Sequence, residues 1–279
     1  MRTIRIDNTL CKRCGKCAKV CPANVIRKSD SGLPEVEGTS RCIECGHCVD
    51  VCASDAIHHE AFPSEHIRMV NRELLPSPES LMELMLSRRS NRTLTDQPIS
   101  EKELQMIQEA ALCAPTAENS RKVKLYIISE KEDLQRVEDK VLGFFTGLAR
   151  ILCQPVLKFF LKPFLRDLYA RVPELMEMDE KAKGGERPCT CNAKILLVLT
   201  APKNYDFGFQ DCNLAYQNAS LMAESLGISQ IYMGFVCTAL KMMGTRRTAR
   251  LLNIPSEEKV FAMMALGKPA FHYPRLVRK

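Results

Sequence analysis

Two runs, CKRCGKCAKVCP from Cys11 to Pro22 and CIECGHCVDVCA from Cys42 to Ala53, each place four cysteines at the spacing C-x2-C-x2-C-x3-C. They hold eight of the chain's fourteen cysteines. Three cysteines at x2 spacing sit on one tight loop and can aim three sulfurs at one face of a cube. The fourth, on the following helical turn, points elsewhere. Zinc sites usually pair two C-x2-C knuckles and do not need the longer run, so doubling of the full spacing argues against zinc. The opening residues, MRTIRIDNTL, contain no apolar signal core. A cytoplasmic location is therefore expected, and there clustered thiols hold metal more often than they bridge.

With this spacing, residues 1–60 resemble the bacterial two-cluster ferredoxin module. That resemblance implies two 4Fe–4S clusters with crossed ligands, because the fourth thiolate of each run serves the other cluster. Cys11, Cys14, Cys17 and Cys52 then hold one cluster, and Cys42, Cys45, Cys48 and Cys21 the other. Gly15 and Gly46 occupy equivalent places and let the backbone approach the sulfides. Pro22 follows the first run, whereas Ala53 follows the second. TIRID (3–7) and AIHHE (56–60) are expected as short strands around the loops. His47 is expected as a surface group or one behind the ligands, and His58, His59 and His272 as surface groups.

Residues 61–76 contain two prolines, Pro63 and Pro76, and read as a linker or docking segment. A second domain, 77–279, follows. Ser77 with Pro78 and Glu79 opens a helix, and Ser100 with Glu103 forms a capping-box pattern for another. Ser129 with Glu132 predicts a third capped start. VKLYIIS (123–129), KILLVLTAP (194–202) and VFAMMALG (260–267) predict strands, and Phe209–Leu226 a helix stopped by Gly227. Strands and helices do not alternate strictly, which predicts an α+β fold. Residues 141–183 are apolar and basic and are broken by Pro155, Pro163 and Pro173. They are expected to form a helical lid or an interface, with Phe144, Phe145, Phe159, Phe160, Phe164, Leu168 and Tyr169 as its pocket walls; a membrane-surface helix is the alternative. No apolar run reaches membrane-spanning length. The formal charge is +7, with no Lys/Arg run long enough to favour nucleic acid.

The second domain contains neither a G-x-G-x-x-G fingerprint nor a Walker loop. It carries instead SRRSNRTLTDQPIS (87–100), APTAENSRK (114–122), ESLGISQIYMGF (224–235) and ALGKPAFHYPRLVRK (265–279). In this order they resemble the nitroreductase family of FMN enzymes, from about Ser77 to Arg278. The resemblance implies a mixed sheet with surrounding helices and a homodimer with FMN at its interface. By motif, Arg88, Arg89, Ser90 and Arg92 match the family's arginine–serine motif, with Arg88 and Arg275 on the FMN phosphate and Arg92 toward the pyrimidine and ribityl side. Pro115, Thr116 and Asn119 match a turn whose Asn bonds the pyrimidine edge. Tyr232, Met233 and Gly234 match the segment passing flavin N5. Arg92 and Asn119 are the candidate flavin-tuning residues. The chain departs from the family's Asn-x-Gln-Pro-Trp at Arg121 and Lys122.

The expected chemistry is transfer of single electrons from the clusters to FMN and hydride transfer to a small acceptor, a nitroaromatic or activated alkene. Ferredoxin or NAD(P)H is the expected donor. The alternative is a relay that passes electrons to a partner protein. Cys189 and Cys191 form a C-x-C pair, too few ligands for a metal site; Cys113, Cys153, Cys212 and Cys237 read as small buried residues.

Overall fold

The computed structural model describes residues 3–277, so Arg278 lies outside the described residues. The chain separates into two compact units. One comprises the chain up to Leu75 together with Glu118–Ser120, and the other comprises Pro76–Ala117 and the chain from Arg121 onward.

The first unit is an internal duplication. Strand β1 (Ile4–Ile6) leads through the first cysteine loop into helix α1 (Lys16–Val20) and strand β2 (Ile26–Lys28). Strand β3 (Pro34–Val36), the second loop, helix α2 (His47–Asp50) and strand β4 (Ile57–His59) repeat the order. The halves exchange strands: β1 pairs antiparallel with β4, Ile4 opposite His59, and β2 with β3, Ile26 opposite Val36. Backbone strain recurs at matching places. Positive φ angles occur at Arg13 and Glu44, Gly15 and Gly46, and Asn24 and Asp55. The two glycines precede α1 and α2 at φ 68° and 78°, a conformation that costs glycine little. Ile4, Val25, Ile26, Val49 and Ile57 form the core with Cys17 and Cys48. So small a core needs support beyond apolar burial.

In the second unit, helix α3 (Pro78–Ser87) starts as expected, the Ser77 side chain accepting from the Ser80 N–H. Helix α4 (Glu101–Leu112) has the full capping box: the Ser100 N–H donates to Glu103 Oε2 at 2.9 Å and the Glu103 N–H to Ser100 Oγ at 3.3 Å. Strand β5 (Lys124–Ile128) follows, then helix α5 (Lys131–Leu152). Its N-cap is Glu130, with no side-chain cap bond, not Ser129. Helices α6 (Pro155–Leu161), α7 (Arg166–Ala170) and α8 (Val172–Lys183) come next. The prolines act as starters, Pro155 and Pro173 lying in the first turns of α6 and α8, where a missing N–H costs nothing. Phe159, Phe160 and Phe164 are exposed on this chain at 78%, 63% and 85%, and Phe159 borders an open hollow with Pro155, Lys158, Lys162, Pro163 and Arg166. Among the described residues no single helix is long and apolar enough to cross a membrane; α5 and α6 pass that test only as a pair bent by 84°.

Strand β6 (Ile195–Pro202), helix α9 (Gly208–Ser225), strand β7 (Ser229–Tyr232), helices α10 (Gly234–Met243) and α11 (Thr245–Leu252) and strand β8 (Glu258–Gly267) complete the unit. The sheet order is β5-β6-β8-β7, and all three ladders are antiparallel. The resemblance implied a mixed sheet. Strands β6 and β7 do run the same way on either side of α9, but β8 inserts between them, so among the described residues no parallel pair forms. Alternation along β6 and β8 serves two cores. Leu196, Val198, Met263 and Ala265 pack with α5, α10 and α11. Ile195, Leu197, Leu199, Ala262, Met264 and Leu266 pack with α4 and α9. The result is a sheet between two helical layers.

The α4 cap is tied to the end of β8. The Lys268 ammonium, with the Ser100 donors, holds the Glu103 carboxyl down to about 2, against an ordinary 4.5. A carboxyl lowered on folding stabilises above its unfolded value, and that contribution disappears as pH falls through the folded value. Glu103→Ala should therefore cost about 1 kcal/mol near neutrality. In denaturant titrations across pH, the gap from wild type should close between about 4.5 and about 2.

Candidate functional site

Two cavities in the first unit gather the cysteines in crossed sets. Cys21, Cys42, Cys45 and Cys48 line one, beside Ile4, Val25 and His59. Cys11, Cys14, Cys17 and Cys52 line the other, beside Val51 and Ile57. The last cysteine of each run sits on the second half of its loop-and-helix, and the strand exchange carries it to the other half's cavity. Among the described residues, no three His, Cys, Asp or Glu side chains converge as a ligand set for one metal ion. Four thiols spread around a cavity suit a cube better than a point ion.

Backbone donors already point at these sulfurs. The Val25 N–H donates to Cys21 Sγ at 3.2 Å and the Ala56 N–H to Cys52 Sγ at 3.3 Å. The Glu44 N–H donates to Cys42 Sγ at 3.4 Å. Burial alone would raise the Cys52 thiol, but donors at Ala56 and Ser54 outweigh it and bring it below its usual value. Burial dominates at Cys48 and pushes its thiol to about 11, so cluster insertion there must displace a proton. His59, expected at the surface, is only 4% exposed. Its Nδ1 accepts from the Ala61 N–H at 3.0 Å, so Nε2 carries the proton and donates to Cys42 Sγ at 3.4 Å. Strand alternation is the signal that marks it, since His58 and His59 must face opposite sides of β4.

The second unit brings several motif residues together. Arg88 caps α3, its N–H bonding the Leu84 carbonyl, and its charge acts on Tyr216 of α9. Burial pushes the Tyr216 hydroxyl up, and Arg88 opposes that. Arg89 folds back, its guanidinium donating to the Leu86 and Arg88 carbonyls at 2.6 and 3.0 Å. Arg92 is exposed and donates to the Ser90 carbonyl. Tyr232 meets Tyr216 edge-on at 4.7 Å and donates to Asn213 Oδ1. Met233 is buried and Gly234 begins α10. Arg275 lies exposed in the C-terminal segment. That segment runs back along the arginine motif: the Thr95 N–H donates to the Lys268 carbonyl and the Ala270 N–H to the Thr93 carbonyl.

Three buried polar residues that sequence reasoning missed hold this arrangement. Asn91, 5% exposed, donates to the Phe271 carbonyl, and its own carbonyl accepts from Ser229 Oγ. Gln230, fully buried, accepts from the Tyr216 hydroxyl at 3.0 Å and donates to the Arg89 carbonyl. Asp211 accepts from the Ala117 N–H and the Tyr205 hydroxyl, fixing the turn that contains Pro115 and Thr116. The signal for Gln230 was a polar residue inside the apolar strand β7. Thr116 accepts from the Arg121 N–H. Asn119 belongs to the first unit: its Nδ2 donates to the carbonyls of Ile43 and Glu44 at 3.0 and 2.7 Å. Cys189 is buried in a loop held by the Glu138 carboxylate, which accepts from the Cys189 N–H, the Thr190 N–H and the Thr190 hydroxyl. Cys113, expected inside, is exposed where it ends α4.

Residues 85–268 match the nitroreductase family, two thirds of the chain. The chain belongs to that family. Residues 3–53 match the 4Fe-4S dicluster domain, so this family member carries such a domain at its N-terminal end. A protein of Archaeoglobus fulgidus whose proposed name is NADH dehydrogenase/NAD(P)H nitroreductase is 25% identical over 195 residues, covering 68% of this chain and 86% of that protein. One of Methanothermobacter thermautotrophicus with the same proposed name is 23% identical over 212 residues, covering 74% and 87%. Among solved structures, a nitroreductase with bound FMN from Bacteroides fragilis superposes with TM-score 0.53 at 20% identity, covering 71% of this chain and 94% of that one. One from Desulfitobacterium hafniense, also with bound FMN, gives 0.54 at 22%, with the same coverage. At these identities the likeness concerns the fold.

Paired serine substitutions separate crossed from uncrossed ligation in this dicluster domain. Cys21→Ser with Cys45→Ser should cost about half of the iron, since both thiols line one cavity, whereas Cys21→Ser with Cys14→Ser should cost nearly all of it. Iron quantitation on anaerobically prepared protein reads the difference.

Proposed function

We propose that this chain is an iron–sulfur flavoprotein oxidoreductase, in which two 4Fe–4S clusters feed an FMN that reduces a small acceptor such as a nitroaromatic or activated alkene. The single observation that carries the reading is the pairing of two crossed four-cysteine cavities with a nitroreductase-family unit in one polypeptide. The residues present fit both groups. Each cavity offers four thiols with backbone donors already on the sulfurs, and the second unit groups cationic Arg88 with Tyr232 and the uncapped start of α10. FMN, when bound, takes up electrons one at a time and passes them on in pairs, as coupling one-electron clusters to a two-electron reduction requires.

The protein's own groups then have defined tasks. Arg88 and Arg275 would hold the FMN phosphate by charge and hydrogen bonding, and Ser90 would support the same end. Arg92 would supply positive charge on the pyrimidine side of a bound flavin; removing such a charge-assisted contact would cost about 1.5–3 kcal/mol. The backbone from Tyr232 to Gly234 would line the reactive edge, held in place by the Met233 N–H bond to the Met263 carbonyl. Arg89 acts as a helix cap, since its guanidinium is committed to the end of α3. The names of the archaeal relatives point to NAD(P)H as donor, and the dicluster domain offers ferredoxin a port. We place the protein in the cytoplasm as a homodimer. A relay to a partner protein is a second reading, favoured by the exposed apolar and basic face of Val156, Phe159, Phe160 and Phe164 with Lys158 and Lys162.

Anaerobically purified protein should contain about eight irons and one FMN per chain. Arg88→Ala should release FMN and leave iron content unchanged; joint loss of both would overturn this division of labour. Steady-state reduction of a nitroaromatic with dithionite or NAD(P)H supports the enzyme. Rapid flavin reduction with no turnover of any small acceptor would support the relay instead.

A further inference from the structure

The two cluster loops of the first unit are built alike, yet among the described residues a hydrogen-bonding side chain from far along the sequence reaches only the second. In the second loop, Asn119 Nδ2 donates to both the Ile43 and Glu44 carbonyls, at 3.0 and 2.7 Å. A primary amide has two N–H donors, and these two bonds use both. The matching carbonyls of the first loop, those of Lys12 and Arg13, receive no side-chain donor among the described residues.

The contact reaches a ligand sulfur through one peptide group. The carbonyl of Ile43 and the N–H of Glu44 belong to the same peptide, and that N–H donates to Cys42 Sγ at 3.4 Å. The path is therefore Asn119 N–H to Ile43 C=O, then Glu44 N–H to Cys42 Sγ. Donation to the carbonyl polarises the peptide and strengthens the bond its N–H makes. Glu44 is held at φ 51°, a strained value for its residue type, and Asn119 sits at φ 52°, which asparagine tolerates. The His59 Nε2–H adds a second donor to the same sulfur.

We propose that Asn119 is a positioning residue for the second iron–sulfur centre: it clamps the Ile43–Glu44 peptide, strengthens the N–H bond to Cys42 and makes this cluster easier to reduce than its twin. The proposal rests on the reading that Cys42 ligates a cluster. Donors to a ligating thiolate favour the more negative, reduced state, so the clamp raises that cluster's reduction potential. The duplicated module then holds two unequal centres. The motif position that resemblance assigned to the flavin serves the cluster loop in this chain.

Asn119→Gly tests the idea, because glycine keeps the left-handed backbone and neutral charge while removing both donors. The full chain, purified anaerobically, is titrated with dithionite and redox mediators and followed by electron paramagnetic resonance, with iron and FMN quantified. One cluster, the one a Cys45→Ser variant lacks, should move to lower potential while the other and the FMN content stay at wild-type values. Asn119→Gln, which restores the donors on a longer arm, should recover part of the shift. Loss of that one cluster alone, with FMN retained, also supports the clamp. Two unchanged potentials, equal shifts in both clusters, or loss of FMN with unchanged clusters overturns it. Wild-type protein without iron would instead sink the cluster reading itself.

Discussion

Each cysteine run has to serve two cavities at once, and the first unit is organised around that demand. Three thiols per loop face one cavity while the fourth rides past α1 or α2 to the other. The crossing works only if the halves exchange strands, as the pairing of β1 with β4 and β2 with β3 achieves. It also needs sharp loops, hence the left-handed backbone at Gly15 and Gly46 and the strained Arg13 and Glu44. The apolar core of this unit is small, so bound clusters would cross-link the two halves and contribute folding energy that side-chain burial cannot.

The second unit is governed by burial in the ordinary way. Strands β6 and β8 are apolar on both faces because helices cover both. The motif loops lie at the ends of these elements and are secured by polar bonds from inside. Gln230 reaches Arg89, Asn91 reaches the C-terminal segment, and Asp211 holds the turn at Ala117. Leaving any of these buried groups without a partner would cost about 1–3 kcal/mol, which explains polar residues inside an apolar framework. Close packing adds to the constraint: a Cβ on Gly267 would lie 2.7 Å from the Leu94 side chain, so β8 ends on a residue that lets the arginine-motif segment approach.

In the proposed function, joining the two units in one polypeptide would couple two different chemistries. Iron–sulfur clusters exchange electrons singly, and reduction of an organic acceptor consumes two. Arg88 acts on Tyr216, Arg92 acts on Cys191, and Arg275 lies exposed in the C-terminal segment. The residues of the C-x-C pair have different settings. Cys189 is locked by Glu138, and Cys191 feels Arg92 while burial raises its thiol.

Local features were legible from the sequence because their physics is local. Cysteine spacing defines the ligand loops, Ser77 and the Ser100–Glu103 box mark helix starts within one turn, and apolar runs mark β6 and β8. Ser129 failed as a cap because Glu130 is the residue flanking the helix, and β7 was missed because four residues with a buried glutamine carry little periodic signal. Partners distant in sequence left no such trace. Whether His59 is inside depends on which way β4 pairs, and what Asn119 bonds depends on a loop 75 residues earlier. The amino acids alone determined which groups could bind metal and phosphate. Only tertiary structure decided which of them face one another, because hydrogen bonds and buried charges are settled by where the backbone brings distant segments together.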